Sequence, residues 1–531
     1  MRPEERTMGK EYNVTGSCNP EFHYVVDTGK KIDEIETLIG KGKYFTINRP
    51  RQYGKSTILE SIERRLAASD YYIIFITFES MSRVDFLNEK NFIREFSRQL
   101  NKIFKNNKHL RLMDFVEKNK GIETFGQLDD FITGMMELID KPVVLLIDEV
   151  DKSSDNQLFL NFLGLLRSKY LSRHKFRTFH SVILASVYDV KNLKLRLLPD
   201  EDTKYNSPWN IAADFKVELC FSPAEIASML TSYAADRKID KMAANVGLLS
   251  DKLYYYTSGH PFLVSSLCKI IDEDILPDRK EKEWCEKDIN EAFERLVSDD
   301  YTTTNFDDVY KNLENNKDLY DLVYKIIMDG EKISFNIGNP VIGLGSLLGI
   351  LASSPGGIVI HNRVYEQRIY NYMSSKIETS TPMEGYNFRD NFITMTNSLD
   401  FEKILLKFQE FMKLQYSNNN RDFLEKDGRL VFLAFIKPII NGRGFDFKEV
   451  QISEEKRLDI VITYLNHKYI VELKKWYSKE YHARGIAQLA DYLDRQNMKT
   501  GYLLVFDSRK KKEWKQERIG SGDKEIFTVW V

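Results

Sequence analysis

Two groups of side chains in this sequence have the types and spacings that phosphate chemistry requires. The first is Gly54-Lys55-Ser56-Thr57, reached from the run Tyr44-Phe45-Thr46-Ile47-Asn48 through Arg49-Pro50-Arg51-Gln52-Tyr53. A strand that turns through such a loop into a helix lets backbone N–H groups wrap a phosphate, and the positive end of the helix adds to the attraction. In that arrangement Lys55 reaches β- and γ-phosphates and Ser56 offers a hydroxyl to Mg²⁺. Arg51, Gln52, Tyr53, Gly54 and Thr57 complete the loop. Arg49 stands where the full pattern has glycine. Taken alone, Gly54-Lys55-Ser56 also describes a basic turn between a strand and a helix.

A second part of the same site lies downstream, in Pro142-Val143-Val144-Leu145-Leu146-Ile147-Asp148-Glu149-Val150-Asp151. This hydrophobic strand ends in two adjacent carboxylates. Asp148 would hold the water shell of a magnesium ion, and Glu149 would polarise the water that attacks a γ-phosphate. The structural alternative is an Asp148 that caps the next helix. Ser186 closes the apolar run from His180, where either a γ-phosphate sensor or a surface serine can stand.

The second group is Asp459, Glu472 and Lys474. Arg457 to Thr463 and Lys468 to Lys474 read as two strands joined by a polar turn around Asn466 and His467. Glu472 and Lys474 are two apart, so they share one face of their strand. A turn centred on Leu465 and Asn466 places Asp459 across from Glu472. Facing carboxylates repel unless a cation or proton lies between them, and a hard divalent ion, Mg²⁺ or Mn²⁺, answers that need. Such an ion polarises a phosphodiester while Lys474 orients water or offsets developing charge. An exposed hairpin with ordinary surface charges is the plain alternative. The next helix, about Glu480 to Gln496, carries Arg484, Gln488 and Tyr492 on one polar face and Ile486, Leu489, Ala490 and Leu493 on its apolar stripe.

The elements that must position these groups alternate. A short helix at Ile32 to Ile39 precedes the first strand. Tyr71 to Phe78 is a second buried strand, Asp85 to Phe104 and Thr124 to Asp140 are helices, and Asn156 to Leu171 is another. Thr124 with Gln127, and Ser222-Pro223-Ala224-Glu225, read as helix-opening caps. A strand is expected around Phe215 to Phe221. Alternating strands and helices imply a doubly wound parallel sheet with ligands at the C-terminal strand ends. From Ser222 to Val297 the pattern is helical, broken at Thr257-Ser258-Gly259-His260-Pro261-Phe262. Lys317 to Met373 reads as helices, a turn at Ser354-Pro355-Gly356-Gly357, a short strand and a last helix from Arg363, a pattern that suits a winged helix. Phe401 to Met412 and Phe423 to Ile436 are helical by pattern, and Gly501 to Phe506 is a further strand. His23 reads as a surface-loop residue.

At 531 residues the chain is too long for one core. Its 77 basic and 79 acidic residues nearly cancel, so a polyanion must be met by a local patch rather than by net field. Lys474, Lys475, Lys479, Arg484 and Lys510-Lys511-Lys512 could form one, the Lys510 run being equally well a solvated basic face. Four scattered cysteines fit a reduced compartment. No apolar run of about 18 residues spans a membrane, and the charged start is no signal peptide, so a cytoplasmic protein is expected.

With these motifs in place, residues 11 to about 373 resemble the AAA-like P-loop ATPases of the STAND-related group. The resemblance rests on Tyr12-Asn13-x-Thr15-Gly16 with His23-Tyr24, on Asn48 to Thr57, and on Leu146 to Asp151. It extends to Ser207-Pro208-Trp209-Asn210-Ile211, Gly259-His260-Pro261-Phe262-Leu263 and Asn362-Arg363-Val364-Tyr365. Arg in place of the first loop glycine is usual in that group. The resemblance implies ATP and Mg²⁺, with the segment before Ile32 and the His260-Pro261 turn bordering the adenine or the phosphates. Residues 393 to 531 resemble the PD-(D/E)XK nuclease fold appended to many such ATPases. Asp459, Glu472 and Lys474 match its motif, and Gln488-x-x-x-Tyr492 matches the helix motif of its exonuclease-like branch. Glu449 matches an acidic residue often found on the preceding strand, and Glu425 is a further metal-ligand candidate.

The expected fold is therefore α/β, in four parts: a P-loop ATPase core at 1–221, a helical lid and winged helix at 222–373, a linker at 374–392, and a restriction-endonuclease-like α/β domain at 393–531. The expected function is ATP hydrolysis coupled to Mg²⁺-dependent cleavage of nucleic acid, DNA first, with defence against foreign DNA implied by analogy. A homo-oligomer is compatible with it. The alternative is a nucleotide-switched regulatory or scaffold protein whose nuclease-like domain binds without cutting.

Overall fold

Aromatic and β-branched residues in unbroken apolar runs pack well in strands buried on both faces. The first, third and fourth runs fold that way, whereas the second, expected to be buried, forms a strand at the sheet edge that stays half-buried at alternate positions. A computed structural model of the chain describes residues 9–153, 157–187, 209–280, 282–298, 300–327, 331, 333–380, 392, 394, 398–417, 431–432, 435–436, 444–448, 459–464, 467–496, 498–507, 509 and 512–531. The chain divides into two units, Met1–Leu296 with Leu344–Ile350, and Val297–Gly343 with Leu351–Val531.

In the first unit, helix α1 (Gly29–Gly40) precedes β1 (Tyr44–Asn48), which feeds α2 (Lys55–Ala67). Strand β2 (Tyr72–Thr77) is followed by α3 (Glu89–Asn106), α4 (Leu110–Lys118) and α5 (Phe125–Glu137). Then come β3 (Val143–Asp148), α6 (Gln157–Ser172) and β4 (Ser181–Ser186). The sheet order is β1-β4-β3-β2, with every neighbour parallel. Alternate strand residues serve opposite faces. Ile74, Ile76, Leu145, Ile147, Val182 and Leu184 pack with the phenylalanines of α3 and α6. Phe45, Ile47, Val144, Leu146, Ile183 and Ala185 pack with Ile35 of α1 and with Ile58 and Ile62 of α2.

Local signals set several boundaries. Thr124 and Gln127 form a reciprocal capping box on α5. Helix α3 starts later than its apolar pattern predicts because the Asn88 side chain caps it, accepting from the Asn91 N–H, after a 3₁₀ turn at Arg83–Phe86. The expected strand at Phe215 to Phe221 does not form. The chain meets β1 at one bridge just before this segment, Phe45 to Ala213. The segment is held instead by side chains, with Phe215 stacked on Phe45 at 5.8 Å and Val217 and Leu219 buried.

Helices α7 (Pro223–Arg237, opened by a Ser222–Glu225 capping box), α8 (Asp240–Thr257), α9 (Pro261–Ile270) and α10 (Glu286–Val297) follow. Between α8 and α9 the chain turns on Gly259, at φ 73°. The Phe221 N–H donates to its carbonyl at 2.7 Å, and a Cβ at Gly259 would collide with the Phe221 backbone. Gly259→Ala should therefore cost on the order of 3 kcal/mol and bring forward the first thermal unfolding transition. An unchanged transition would contradict this close approach.

The second unit holds α11 (Thr304–Asn315), α12 (Lys317–Ile327), the antiparallel hairpin β5 (Leu351–Ser354) and β6 (Gly357–Ile360), and α13 (Arg363–Ser380). Helix α13 extends into the polar stretch that begins at Ser374. Next come α14 (Phe401–Ser417), β7 (Gly444–Lys448), β8 (Asp459–Tyr464), β9 (His467–Lys475), α15 (Lys479–Arg495), β10 (Thr500–Phe506), β11 (Gln516–Ser521) and β12 (Lys524–Trp530). They form a mixed sheet in the order β11-β12-β10-β9-β8-β7, with β10 parallel to both β9 and β12. Phe401 of α14 packs on Tyr469 and Tyr502. Leu489 and Leu493 of α15 pack on Ile470 and Leu503, one residue along each strand and so on the opposite face. Of the expected helix Phe423 to Ile436, only 431–432 and 435–436 are described, and they are helical. Among the described residues no helix is long and apolar enough to cross a membrane.

Two candidate active sites

The first site forms where β1 and β3 end. Gly54 takes φ 75° and Gln52 φ 60°, two left-handed residues that bend the loop back onto the start of α2. Gly54 is the N-cap of α2 and supplies no side-chain cap, so the first N–H groups of that helix are the donors available to an anion. Lys55 is buried, and its ammonium donates to the carbonyls of Arg49 and Pro50, both at 2.9 Å. Burial pulls its pKa down, while the nearby Asp151, Glu149 and Asp148 pull it up. The Ser56 hydroxyl donates to Asp148 Oδ2 at 2.7 Å. Two hard oxygen ligands thus stand side by side, and burial raises the Asp148 carboxyl pKa. This donor set fits a divalent cation.

Glu149 follows at φ 56°, its N–H on Asp148 Oδ1. Burial, then Asp151, raises its pKa. Ser186 sits buried at the end of β4 and donates to Asp151 Oδ1 at 2.6 Å, an oxygen that also accepts from the Val187 N–H. Asp151 therefore ties the tips of β3 and β4 together, a role its position beside two more prominent carboxylates concealed.

Arg49 resolves its own oddity. Its guanidinium donates to the carbonyls of Asn48 and Val217 and lies over the Phe215 ring. The side chain that replaces glycine is thus committed to the 215–217 segment. Trp209 anchors the neighbouring turn through a 2.8 Å bond from its indole N–H to Thr46 Oγ1, whereas Ser207 and Pro208 lie outside the described residues.

A cavity of about 350 Å³ opens beside Gly54 and Thr57, within the rough 300–1,000 Å³ span of small-molecule pockets. Asn13, Gly16 and Cys18 line it from the N-terminal segment, and Pro261 and Phe262 from α9. The Cys18 N–H bonds Thr57 Oγ1 at 3.0 Å. His260 is buried, with its ring 4.3 Å from that of Tyr53. Gly349, at φ 67°, closes on the same loop, and a Cβ there would stand 2.8 Å from Pro50 Cγ. Arg51 is exposed. His23 accepts the Asn19 N–H within its loop.

The second site lies on the mixed sheet. The pairing of β8 with β9 sets Asp459 across from Glu472, as the turn predicts. The description reaches the Asp459 backbone but not its side chain, and Glu449, Glu425, Lys510 and Lys511 lie outside it. Glu472 and Lys474 are buried side by side, with Nζ 2.6 Å from Glu472 Oε1. Gln488 of α15 reaches the same ammonium at 3.2 Å through its carbonyl oxygen. Tyr492 packs against the core below α15, and its hydroxyl makes no hydrogen bond among the described residues. Arg484 is exposed. Among the described residues, no three His, Cys, Asp or Glu side chains gather as a metal cluster.

Gly485 is a residue that sequence reasoning missed. A Cβ there would stand 2.6 Å from Lys474 Nζ and 3.0 Å from its Cδ. Gly485→Ala should leave the fold intact, because a flexible lysine end yields, yet move the ammonium off Glu472. A drop in any cleavage on the order of 10-fold is expected, measured on protein whose thermal transition is unchanged. Undiminished cleavage would show that the position of Lys474 is unimportant.

Comparison with known proteins places these sites in context. A Walker-type ATPase of Pyrococcus abyssi matches at 12% identity over 68% of this chain and 99% of its own, with a TM-score of 0.45. The ADP form of ORC2 from Aeropyrum pernix matches at 12% identity, 70% of this chain and 99% of its own, with a TM-score of 0.36. The Thermotoga maritima RuvB Holliday junction branch migration motor matches at 13% identity, 66% and 97%, with a TM-score of 0.30. No curated protein matches the chain. The PD-(D/E)XK nuclease superfamily model matches residues 444–517, which hold Asp459, Glu472, Lys474 and Gln488. The AAA-like domain model matches residues 18–365, most of the chain, and the protein belongs to that family.

Proposed function

We propose that this protein binds and hydrolyses ATP in its first unit and cuts nucleic acid, DNA first, in its second, acting in the cytoplasm, with defence against foreign DNA as its setting. In this reading the N–H groups at the start of α2 and the Lys55 ammonium hold the β- and γ-phosphates, the latter after leaving the Arg49 and Pro50 carbonyls. Ser56 and Asp148 would hold Mg²⁺, Glu149 would orient the attacking water, and Ser186 would sense the γ-phosphate through the strand tip it shares with Asp151. The cavity beside Gly54, bordered by Cys18 and Pro261, would take the base and sugar.

In the second unit Asp459 and Glu472 would hold Mg²⁺ or Mn²⁺, with Glu449 as a further ligand. When bound, a divalent ion at either site neutralises phosphate oxygens and acidifies its water. Lys474, positioned by Gln488, would offset the charge that develops on the phosphorus oxygens, and Tyr492 would support that helix face.

The observation that carries the nuclease half is the backbone register of Asp459 opposite Glu472, with Lys474 against Glu472 at 2.6 Å. Opposed acidic positions beside a buried lysine in a superfamily-matched segment favour cutting over mere binding. The coupling is tested by digesting labelled DNA with Mg²⁺ or Mn²⁺, with and without ATP. Cleavage whose rate changes with ATP supports it. Cleavage indifferent to ATP would separate the two activities.

A further inference from the structure

The loop that leaves β9 after Lys475 carries Tyr477, whose side chain is unusual for its place. It is 62% exposed, and both of its chain neighbours are hydrogen-bonded. The N–H of Trp476 donates to the Phe506 carbonyl at 2.9 Å, and Ser478 is the N-cap of α15, accepting the Tyr481 N–H at 3.1 Å. A lone exposed aromatic needs no explanation. This one leads into the site, because its ring meets the Tyr481 ring at 5.1 Å and 82°. The Tyr481 ring in turn lies 5.4 Å from Lys474 Nζ and 6.0 Å from the Arg484 guanidinium. Lys475, Lys479 and Glu480, next to Tyr477 in sequence, are exposed, as is Arg484.

We infer that Tyr477 is a stacking platform for an unpaired nucleobase, and that the second site takes single-stranded nucleic acid or a frayed end. Every base has a face that an aromatic ring can stack on, but in a duplex those faces are occupied by neighbouring bases. An exposed ring held between anchored neighbours, one ring contact from the site's lysine, therefore selects strands whose bases are free. The inference deepens the nuclease reading of the same site.

The test uses the full-length protein in EDTA, so that binding is read without metal-dependent cutting. Probes are fluorescein-labelled oligo-dT, the matching oligo-rU, and the duplex of the oligo-dT with oligo-dA. Wild type is expected to hold the single strands more tightly than the duplex. Tyr477→Ala should weaken single-strand binding on the order of 10-fold, leave the duplex unchanged and keep the salt slope, since no phosphate contact is lost. Tyr477→Phe should behave as wild type. Lys479→Ala should instead reduce the single-strand salt slope by about 0.7. Equal binding by Tyr477→Ala and wild type, equal losses on single strand and duplex, a loss in Tyr477→Phe as large as in Tyr477→Ala, or no oligonucleotide binding at all would each overturn the inference. Cleavage with metal is scored separately. Tyr477-dependent binding without cleavage would sink the nuclease reading and keep the platform, while cleavage of single strands unaltered by Tyr477→Ala would do the reverse.

Discussion

Lys55→Ala should abolish ATP turnover, with phosphate release at saturating ATP falling by about 100-fold or more. The ammonium is the one cationic group the loop buries at the start of α2, and away from water a nearby polyphosphate gains more from it than from an exposed charge. The substitution also strands the Arg49 and Pro50 carbonyls that Lys55 satisfies, a cost of about 1–3 kcal/mol if water does not replace it. Thermal shift by MgATP distinguishes the two effects. Loss of stability alone would lower the transition with and without nucleotide, whereas loss of the phosphate contact removes the upward shift that nucleotide gives wild type. Wild-type turnover in Lys55→Ala would remove the loop from the account.

Glu472→Gln should eliminate cleavage, by about 1,000-fold or more, and leave ATP hydrolysis at its wild-type rate. The side chain keeps its size in a buried position, so packing changes little. The charge that holds Lys474 at 2.6 Å and that would hold the ion is gone. Because Lys474 then lacks its carboxylate, the thermal transition of this variant should also fall, and Lys474→Met on top of it should restore part of the loss. Cleavage at the wild-type rate in Glu472→Gln would place the chemistry elsewhere.

Much of this was legible in the residues, for reasons that differ by element. The register of Asp459 against Glu472 follows from a short turn between Tyr464 and His467, because pairing across a hairpin is fixed by counting outward from it. The proximity of Glu472 and Lys474 follows from the period of two. The capping boxes at Thr124 and Ser222 are local and self-contained. What escaped was set by distant parts of the chain. The Phe215 to Phe221 run has strand-like composition, but side-chain stacking and Arg49 hold it without a ladder. The cavity wall from Asn13 to Cys18 has no periodicity to read, and its attachment to Thr57 spans 39 positions. Gly485 inside a helix looks like a mere cost in propensity until the lysine it makes room for is seen.

The most direct measurement is digestion of end-labelled and internally labelled DNA by the full-length protein with Mg²⁺ or Mn²⁺, run beside Asp459→Ala. The account predicts metal-dependent products from wild type and none from Asp459→Ala, whose ATP hydrolysis is undiminished. Digestion that persists in Asp459→Ala, or a wild-type protein that hydrolyses ATP yet leaves every strand intact with either metal, would contradict it.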